Sequence, residues 1–442
     1  MMVPLLLLLA LGGLMQAAQT FTTRASSSGT ALAFGFLLLA AYFTAKIVNQ
    51  VGLPKLTGYI IAGVVAGPFV LGLVTTQMTA SLKVVSGAAT AIIALEAGAE
   101  LHVAGIRPMV PTLRALTLFA VVGAMFVLGG TLFVMRPWLP LFDGLDTPES
   151  LAVCMVFAVA LSAQSPAVVM ALLAEMRSAG PLSSVILASV VVADLVVIIC
   201  FSIASAVAGA MIGGGFDVGS TILRVSWELF GSLAFGVVIG ALIGRFLLSV
   251  KQGSSLFALT VCIVVAEVGT RIHLDPLIVM LAAGIWLRNV SRADSRELLH
   301  GFESAQLPVF LVFFALAGSK LDIDTLAGSI VPVALLALVR ASSFFVGARV
   351  ACAVAASPPI VTRFAWFGLV PQAGLALALA LVLQKTFPTF GDEAAVILFG
   401  VVGLNELIAP VILRSMLLKS GEAGQRAEAE FAPTERASSP RP

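Results

Sequence analysis

Charged side chains are scarce in this sequence. Only 11% of its 442 residues are Asp, Glu, Lys or Arg, whereas 60% are hydrophobic and the mean hydropathy is +1.09. This composition excludes a soluble enzyme or nucleic-acid-binding domain. The apolar residues fall in runs of about 20, long enough to cross a bilayer. We therefore predict an all-α, multi-pass membrane protein whose surroundings are lipid and whose interior is helix packed on helix.

Motifs for metals, disulfides and nucleotides are also lacking. The four cysteines lie within hydrophobic runs and form no CxxC pair, and the three histidines lie near the ends of such runs. That distribution does not favour disulfides or a zinc site. The sequence contains no P-loop and no dinucleotide fingerprint. We predict no cofactor, and neither enzymatic activity nor ATP-driven transport is supported.

Thirteen hydrophobic spans are predicted along residues 29–418. They lie at about 30–50, 56–75, 80–104, 110–135, 150–174, 181–212, 227–249, 254–270, 274–291, 304–319, 326–354, 361–386 and 391–418. Residues 1–28 contain a shorter apolar run without a basic leader, which fits either a cleaved signal peptide or a fourteenth helix. Residues 419–442 are polar, and we predict a disordered tail.

The orientation follows from the positions of Lys and Arg. With the C-terminus placed in the cytoplasm, the cytoplasmic ends of the spans hold about twice as many Lys and Arg as the other side. The positive-inside rule therefore predicts a cytoplasmic C-terminus and insertion in the cell (inner) membrane.

Two spans interrupt their own hydrophobic pattern in mid-membrane. The first break reads "SAQSP", and its notable residues are Ser162, Gln164, Ser165 and Pro166. The second reads "VPQAG", and its notable residues are Pro371, Gln372 and Gly374. Proline removes a backbone donor, and the freed backbone groups need other partners in lipid. Two such breaks in corresponding positions are typical of secondary transporters built from repeats.

Asp194 is an isolated carboxylate near the centre of the span 181–212. Ionised there, it would cost roughly 3 kcal/mol on an insertion scale, so it needs water, a cation, a proton or a basic partner. Arg340 is the basic residue near the middle of a span and cannot usefully lose its charge. It is predicted to be a fixed counter-charge, with Glu96, Glu100 or Asp194 as candidate partners.

Three further acids fall within predicted spans. Glu96 and Glu100 are four residues apart and share a helix face, so they could line a cavity or serve the structure. Glu406 follows Asn405 in the last span, after the second break. We predict these three as possible cavity acids.

Four segments resemble the cation:proton antiporters of the second family, the group with NapA-like sodium/proton antiporters and Kef-type potassium systems. They read "GLPKLTGYIIAGVVAGPFVLGL" (52–73), "LPVFLVFFALAGSKLDI" (307–323), "LVPQAGLALALAL" (369–381) and "NELIAPVILRSML" (405–417). The resemblance covers roughly 30–418. It implies an NhaA-like fold of inverted repeats with two crossing interrupted helices, a dimerisation domain and a core domain, a homodimer, and elevator-like alternating access.

The resemblance also implies roles for individual residues. Asp194 stands where the family has its ion-carrying Asp, with residues 162–166 and 370–374 at the helix breaks. Arg340 stands where electrogenic members have a Lys, and Ala193 where they have a second Asp. One titratable carrier and a fixed positive charge predict electroneutral exchange of one Na⁺ or K⁺, bound at Asp194 with help from Ser162, Gln164 and Ser165, for one H⁺. A Kef-type potassium efflux system and an organic-anion symporter on the related fold remain alternatives.

Overall fold

The chain is a multi-pass, all-α membrane protein. The computed structural model describes residues 2–22, 29–101, 104, 107–212, 223, 226–250, 254–291, 308–320, 329–387 and 389–425, and these contain helices and no strand. The described part contains seven segments long and apolar enough to cross a bilayer, one of which, Thr147–Glu175, consists of two consecutive helices; a bent pair of helices forms a further candidate span. The fold class predicted from composition is therefore confirmed.

Each predicted span coincides with at least one helix, while the number of membrane crossings stays a prediction. In chain order the helices are α1 (Met2–Thr22), α2 (Gly29–Gln50), α3 (Lys55–Ala66), α4 (Lys83–Glu100), α5 (Arg107–Trp138), α6 (Thr147–Ser162), α7 (Pro166–Glu175), α8 (Pro181–Ile212), α9 (Trp227–Ser249), α10 (Ser254–Arg271), α11 (Pro276–Asn289), α12 (Pro308–Gly318), α13 (Ile330–Val354), α14 (Pro359–Leu369), α15 (Gly374–Thr386) and α16 (Gly391–Ser420). A short helix, Thr76–Ser81, precedes α4.

Helices α4, α9, α10 and α11 pack together as a first helix group. At its centre the backbones of α4 and α11 are nearly in contact. A Cβ atom at Gly98 would lie 2.2 Å from the carbonyl oxygen of Leu281, and one at Gly284 would lie 2.2 Å from that of Leu95. Small residues allow such close helix approach in membranes. Glycine at positions 98 and 284 therefore determines how closely this pair packs.

Helices α5, α6, α8 and α13 to α16 form a second helix group. Within it α6 packs on α5 and α8, α14 packs on α8 and α13, and α16 packs on α13 and α15. Helix α7 contacts both α8 of this group and α4 of the first. The site described below lies where the two groups face each other.

The structure describes part of each terminal segment. Helix α1 packs against α2, and the choice between a signal peptide and a retained helix for residues 1–28 stays open. Helix α16 continues past the predicted boundary at 418, and Glu422 beyond it is buried. Residues 419–425 of the predicted disordered tail are therefore folded, and residues 426–442 lie outside the described part.

Glu422 accounts for this ordering. Its carboxylate accepts hydrogen bonds from the backbone N–H groups of Leu182 and Ser183, at 2.8 and 2.7 Å, and from the Ser183 hydroxyl at 2.6 Å. These are donors of the first turn of α8, which have no partner within the helix. A carboxylate is favoured at the positive end of the helix dipole. Glu422 thus caps the helix that carries Asp194.

Candidate ion-binding site

The two helix breaks lie at the predicted positions. Helix α6 ends at Ser162 and α7 begins at Pro166, while α14 ends at Leu369 and α15 begins at Gly374. The second pair is bent by 41°. At the first break the Ser165 hydroxyl accepts a hydrogen bond from the backbone N–H of Val168 and so caps α7.

Arg340 joins the two breaks. Its guanidinium is fully buried and donates to four backbone carbonyls at the C-terminal ends of the two half-helices. The acceptors are Leu161 at 2.8 Å, Ala163 at 2.7 Å, Val370 at 2.6 Å and Leu369 at 3.3 Å. Carbonyls at helix ends lack partners within the helix and carry the negative end of the dipole. The prediction of an acidic partner for Arg340 was therefore wrong. Its positive charge is compensated by hydrogen bonds to backbone carbonyls of both breaks.

Gln372 adds a second link between the breaks. Its Nε2 donates to the carbonyl oxygen of Leu161 at 2.8 Å, and its Oε1 accepts from Nδ2 of Asn405 at 2.7 Å. This chain of hydrogen bonds runs from α6 through the second break to α16. Since Gln372 and Asn405 are both buried, Oε1 of Gln372 and Nδ2 of Asn405 satisfy one another.

Asp194 lines a cavity of about 620 Å³ beside the breaks. Its side chain is 5% exposed, and its Oδ1 has no hydrogen-bond partner among the described residues. Gln164 also lines the cavity, is fully buried, and likewise has an oxygen, Oε1, without a described partner. Two unsatisfied oxygens in the lining of one cavity are ligands that suit a small cation or a proton.

The cavity includes some of the predicted site residues and not others. Gln164, Ser165, Pro166 and Gly374 line it together with Asp194. Ser162, Pro371 and Gln372 are absent from the described lining, and the Ser162 hydroxyl donates instead to the carbonyl oxygen of Val159 at 2.8 Å. Thus the breaks reach the cavity mainly through residues 164–167 and 373–375.

Of the three possible cavity acids, Glu96 and Glu406 do not line the cavity. Glu96 and Glu406 are buried, at 3% and 1% exposure, and neither belongs to the described lining. Both carboxylate oxygens of Glu406 lack a hydrogen-bond partner among the described residues. Glu100 ends α4, and its side chain lies outside the described part.

Sequence reasoning missed a second cavity carboxylate, Asp275. It precedes α11, caps it by accepting from the backbone N–H of Leu277 at 2.8 Å, and lines the cavity with Ser86 and Thr90 of α4. An Asp before a Pro at the start of an apolar run is a helix-start signal in the sequence. That signal predicts the cap, but nothing local predicts that the cap lines the same cavity as Asp194.

A model of the sodium/hydrogen exchanger transmembrane family matches residues 35–419. The chain belongs to this family. The match spans both breaks, Asp194, Arg340 and the two helix groups described above. The antiporter resemblance found in the sequence is therefore confirmed.

Individual relatives are more distant. The chain is 28% identical over 382 residues to YbaL of Escherichia coli K12, provisionally assigned as a cation/proton antiporter; the match covers 78% of this chain but 64% of YbaL. Two structures of the sodium/proton antiporter MjNhaP1 from Methanocaldococcus jannaschii have the same fold. The structure at pH 8 matches with a TM-score of 0.62 and 16% identity, and the match covers 89% of this chain and 97% of MjNhaP1. The electron-microscopy structure matches with a TM-score of 0.64 and 15% identity, and the match covers 91% of this chain and 98% of MjNhaP1.

Proposed function

We propose that the chain is a secondary antiporter that exchanges a monovalent cation, Na⁺ or K⁺, for H⁺, with Asp194 as the carrier. The observation that carries this proposal is the place of Asp194: a nearly buried carboxylate with an unsatisfied oxygen, facing a cavity bounded by two helix breaks. A buried ionised carboxylate is costly unless it is compensated. A cation and a proton each supply that compensation, and they compete for the same group, which couples their movements without ATP.

Arg340 supports a fixed rather than a titrating role for the positive charge. All of its described hydrogen bonds go to backbone carbonyls, and it is absent from the described cavity lining. With Ala193 next to Asp194, α8 contributes one acidic side chain to the cavity. One travelling carboxylate binds either one proton or one monovalent cation, so the exchange is one for one and electroneutral.

The movement that we propose is elevator-like. Asp194, both breaks and Arg340 belong to the second helix group, so a displacement of that group would carry the site as one unit past the first group. In this assignment the second group contains the core domain and the first belongs to the dimerisation domain of a homodimer in the inner membrane. The C-terminus is cytoplasmic, and the cavity opens to the outer face because its lining includes the connections between α3 and α4 and between α10 and α11.

The cavity argues against an organic anion as the substrate. Its described charged lining consists of Asp194, Asp275 and Lys320, so two acids oppose one base. An anion bound there would face a net negative wall, whereas a cation would be attracted.

The test uses proteoliposomes with an imposed pH gradient and a pH-sensitive dye. Addition of Na⁺, K⁺ or Li⁺ should collapse the gradient with wild-type protein, and the cation that does so at the lowest concentration is the substrate. Asp194→Asn should abolish the response, because the amide neither binds a proton nor carries charge. Asp146→Asn is the matched control, since Asp146 caps α6 and is absent from the described cavity lining. Exchange retained in Asp194→Asn would refute the proposal.

Electroneutrality needs a separate measurement. Exchange rates should not change when a membrane potential is imposed, and no transient current should accompany a cation jump on a supported membrane. A current that reverses with the ion gradients would contradict the one-for-one stoichiometry while leaving antiport itself intact.

A further inference from the structure

Asp194 and Asp275 face the same cavity from different helix groups. Asp194 lies on α8, which packs against α6 and α14, whereas Asp275 precedes α11, which packs against α4, α9 and α10. Both carboxylates line this one cavity, so two like charges share it when both are ionised. Such a pair of acids is costly in a cavity without a cation, and a bound cation between or beside them relieves the repulsion.

Asp275 can bind a further ligand while it caps α11. Its Oδ1 accepts from the Leu277 N–H, and its own backbone N–H donates to the Ser232 hydroxyl at 2.9 Å. An ionised carboxylate has about four lone-pair positions on two oxygens. Asp275 is half-buried and lines the cavity, so it is held rigidly by the cap while still able to bind a cation.

The first helix group contributes further oxygen ligands to the cavity lining. Ser86 and Thr90 of α4 line it, one turn apart, and the Thr90 hydroxyl donates to the Ser86 carbonyl. That hydrogen bond uses the hydroxyl's proton and leaves its lone pairs as acceptors. From the second helix group and the adjoining break, Asp194 and Gln164 each contribute an oxygen without a described partner. The lining therefore has oxygen ligands from both sides of the boundary between the groups.

We propose that Asp275 forms a second, stationary subsite for the monovalent cation, on the cavity wall opposite the carrier Asp194. This inference rests on the proposed antiport. Because Asp275 belongs to the first helix group, it does not travel with Asp194. It raises the local cation concentration and shares the cation with Asp194 only while the cavity is open to its side. The subsite therefore sets cation affinity on one face of the membrane and not on the other.

The experiment measures the apparent KM for the cation on each face, in right-side-out and inside-out vesicles from the same cells. In Asp275→Asn the asparagine oxygen keeps the cap of α11, since Asn caps helices as well as Asp does, and only the charge is lost. We expect the KM to rise roughly five- to tenfold on the face to which the cavity opens, as expected for loss of one nearby unit charge. The KM on the opposite face and the maximal rate should stay within about twofold.

Three variants separate this proposal from its alternatives. Asp275→Glu keeps the negative charge, so its KM should lie between those of wild type and Asp275→Asn. Asp146→Asn should leave the KM on both faces unchanged. An equal rise of KM on both faces, or a lower maximal rate with an unchanged KM, would overturn the stationary subsite and indicate a structural role for the cap. If Asp194→Asn still exchanges cations, the proposed antiport through Asp194 fails; if Asp194→Asn is inactive and Asp275→Asn is indistinguishable from wild type, only the subsite fails.

Discussion

The Nη2 atom of Arg340 lies 2.7 Å from the carbonyl oxygen of Ala163, in the segment between α6 and α7. The same guanidinium reaches the carbonyl of Val370 in the other break. One side chain therefore satisfies the ends of two half-helices that proline has separated from their continuations. The geometry depends on a planar group with five donors, which lysine does not have.

Arg340→Lys should therefore be a costly substitution although it keeps the charge. An ammonium group has three donors on one atom and lacks the planar fork, so it would satisfy fewer of the four carbonyls that Arg340 contacts. We expect the free energy of unfolding to fall by more than about 2 kcal/mol, since hydrogen bonds to charged groups are worth about 1.5–3 kcal/mol each. Thermal unfolding in detergent would measure this, together with the exchange rate in liposomes. Arg349→Lys, an exposed arginine on the same helix, is the control; an equal loss in both variants would contradict the role of Arg340.

The hydrogen bond between Asn405 and Gln372 should show energetic coupling. Removing either amide leaves the other with an unsatisfied buried group, so Gln372→Leu and Asn405→Leu should each lower stability. The double variant should cost less than the sum, by about 1 kcal/mol, because residues that share one hydrogen bond are not independent. Additive effects in a double-mutant cycle would show that the 2.7 Å contact contributes nothing.

Loss of Glu422 should weaken the start of α8. Glu422→Ala removes the acceptor of two backbone N–H groups and one hydroxyl, and we expect a loss of about 1–2 kcal/mol, in the range of other helix caps. Glu422→Gln keeps an acceptor oxygen but not the charge, so its loss should be smaller. Gln425→Ala, an exposed change in the same segment, should have little effect. A matching decrease in Gln425→Ala would point to the segment as a whole rather than to the carboxylate.

The close contact of α4 and α11 should not tolerate a methyl group. Gly98→Ala and Gly284→Ala would each place a Cβ 2.2 Å from a carbonyl oxygen of the other helix. Overpacking of this kind costs about 1–3 kcal/mol or forces the helices apart. Gly35→Ala on α2 has nothing within 4 Å of the added atom, so it should be neutral or slightly stabilising. Thermal unfolding of the three variants in detergent tests this prediction. Equal stability of Gly98→Ala, Gly284→Ala and Gly35→Ala would show that α4 and α11 are less closely packed than described.

The sequence predicted those features that depend on local chemistry. Proline and polar residues at 162–166 and 370–374 interrupt apolar runs, so the breaks could be located, and Asp194 was conspicuous because its span is otherwise apolar or small. The partners of Arg340 could not be predicted from residue types. They are backbone carbonyls, which every residue has and which become available as acceptors only where a helix ends. Asp275 was readable as a helix cap, but its place in the cavity depends on how two helix groups pack.

Glu422 illustrates the same limit at the end of the chain. Its surroundings in sequence are polar, with the composition of a disordered tail. Glu422 accepts hydrogen bonds from residues about 240 positions earlier in the chain. No local sequence pattern predicts a contact over that separation.

The contact between Gly98 and Gly284 also bears on the mechanics of transport. Helices slide past one another through small rotamer changes in the side chains between them. Where two backbones touch, no side chains lie between them to change rotamer. We therefore expect α4 and α11 to behave as one rigid unit. In the proposed elevator-like movement, displacement is then expected at the other boundary, where the cavity lies between the two helix groups. Two residues without side chains would thereby limit the directions in which the first helix group can deform.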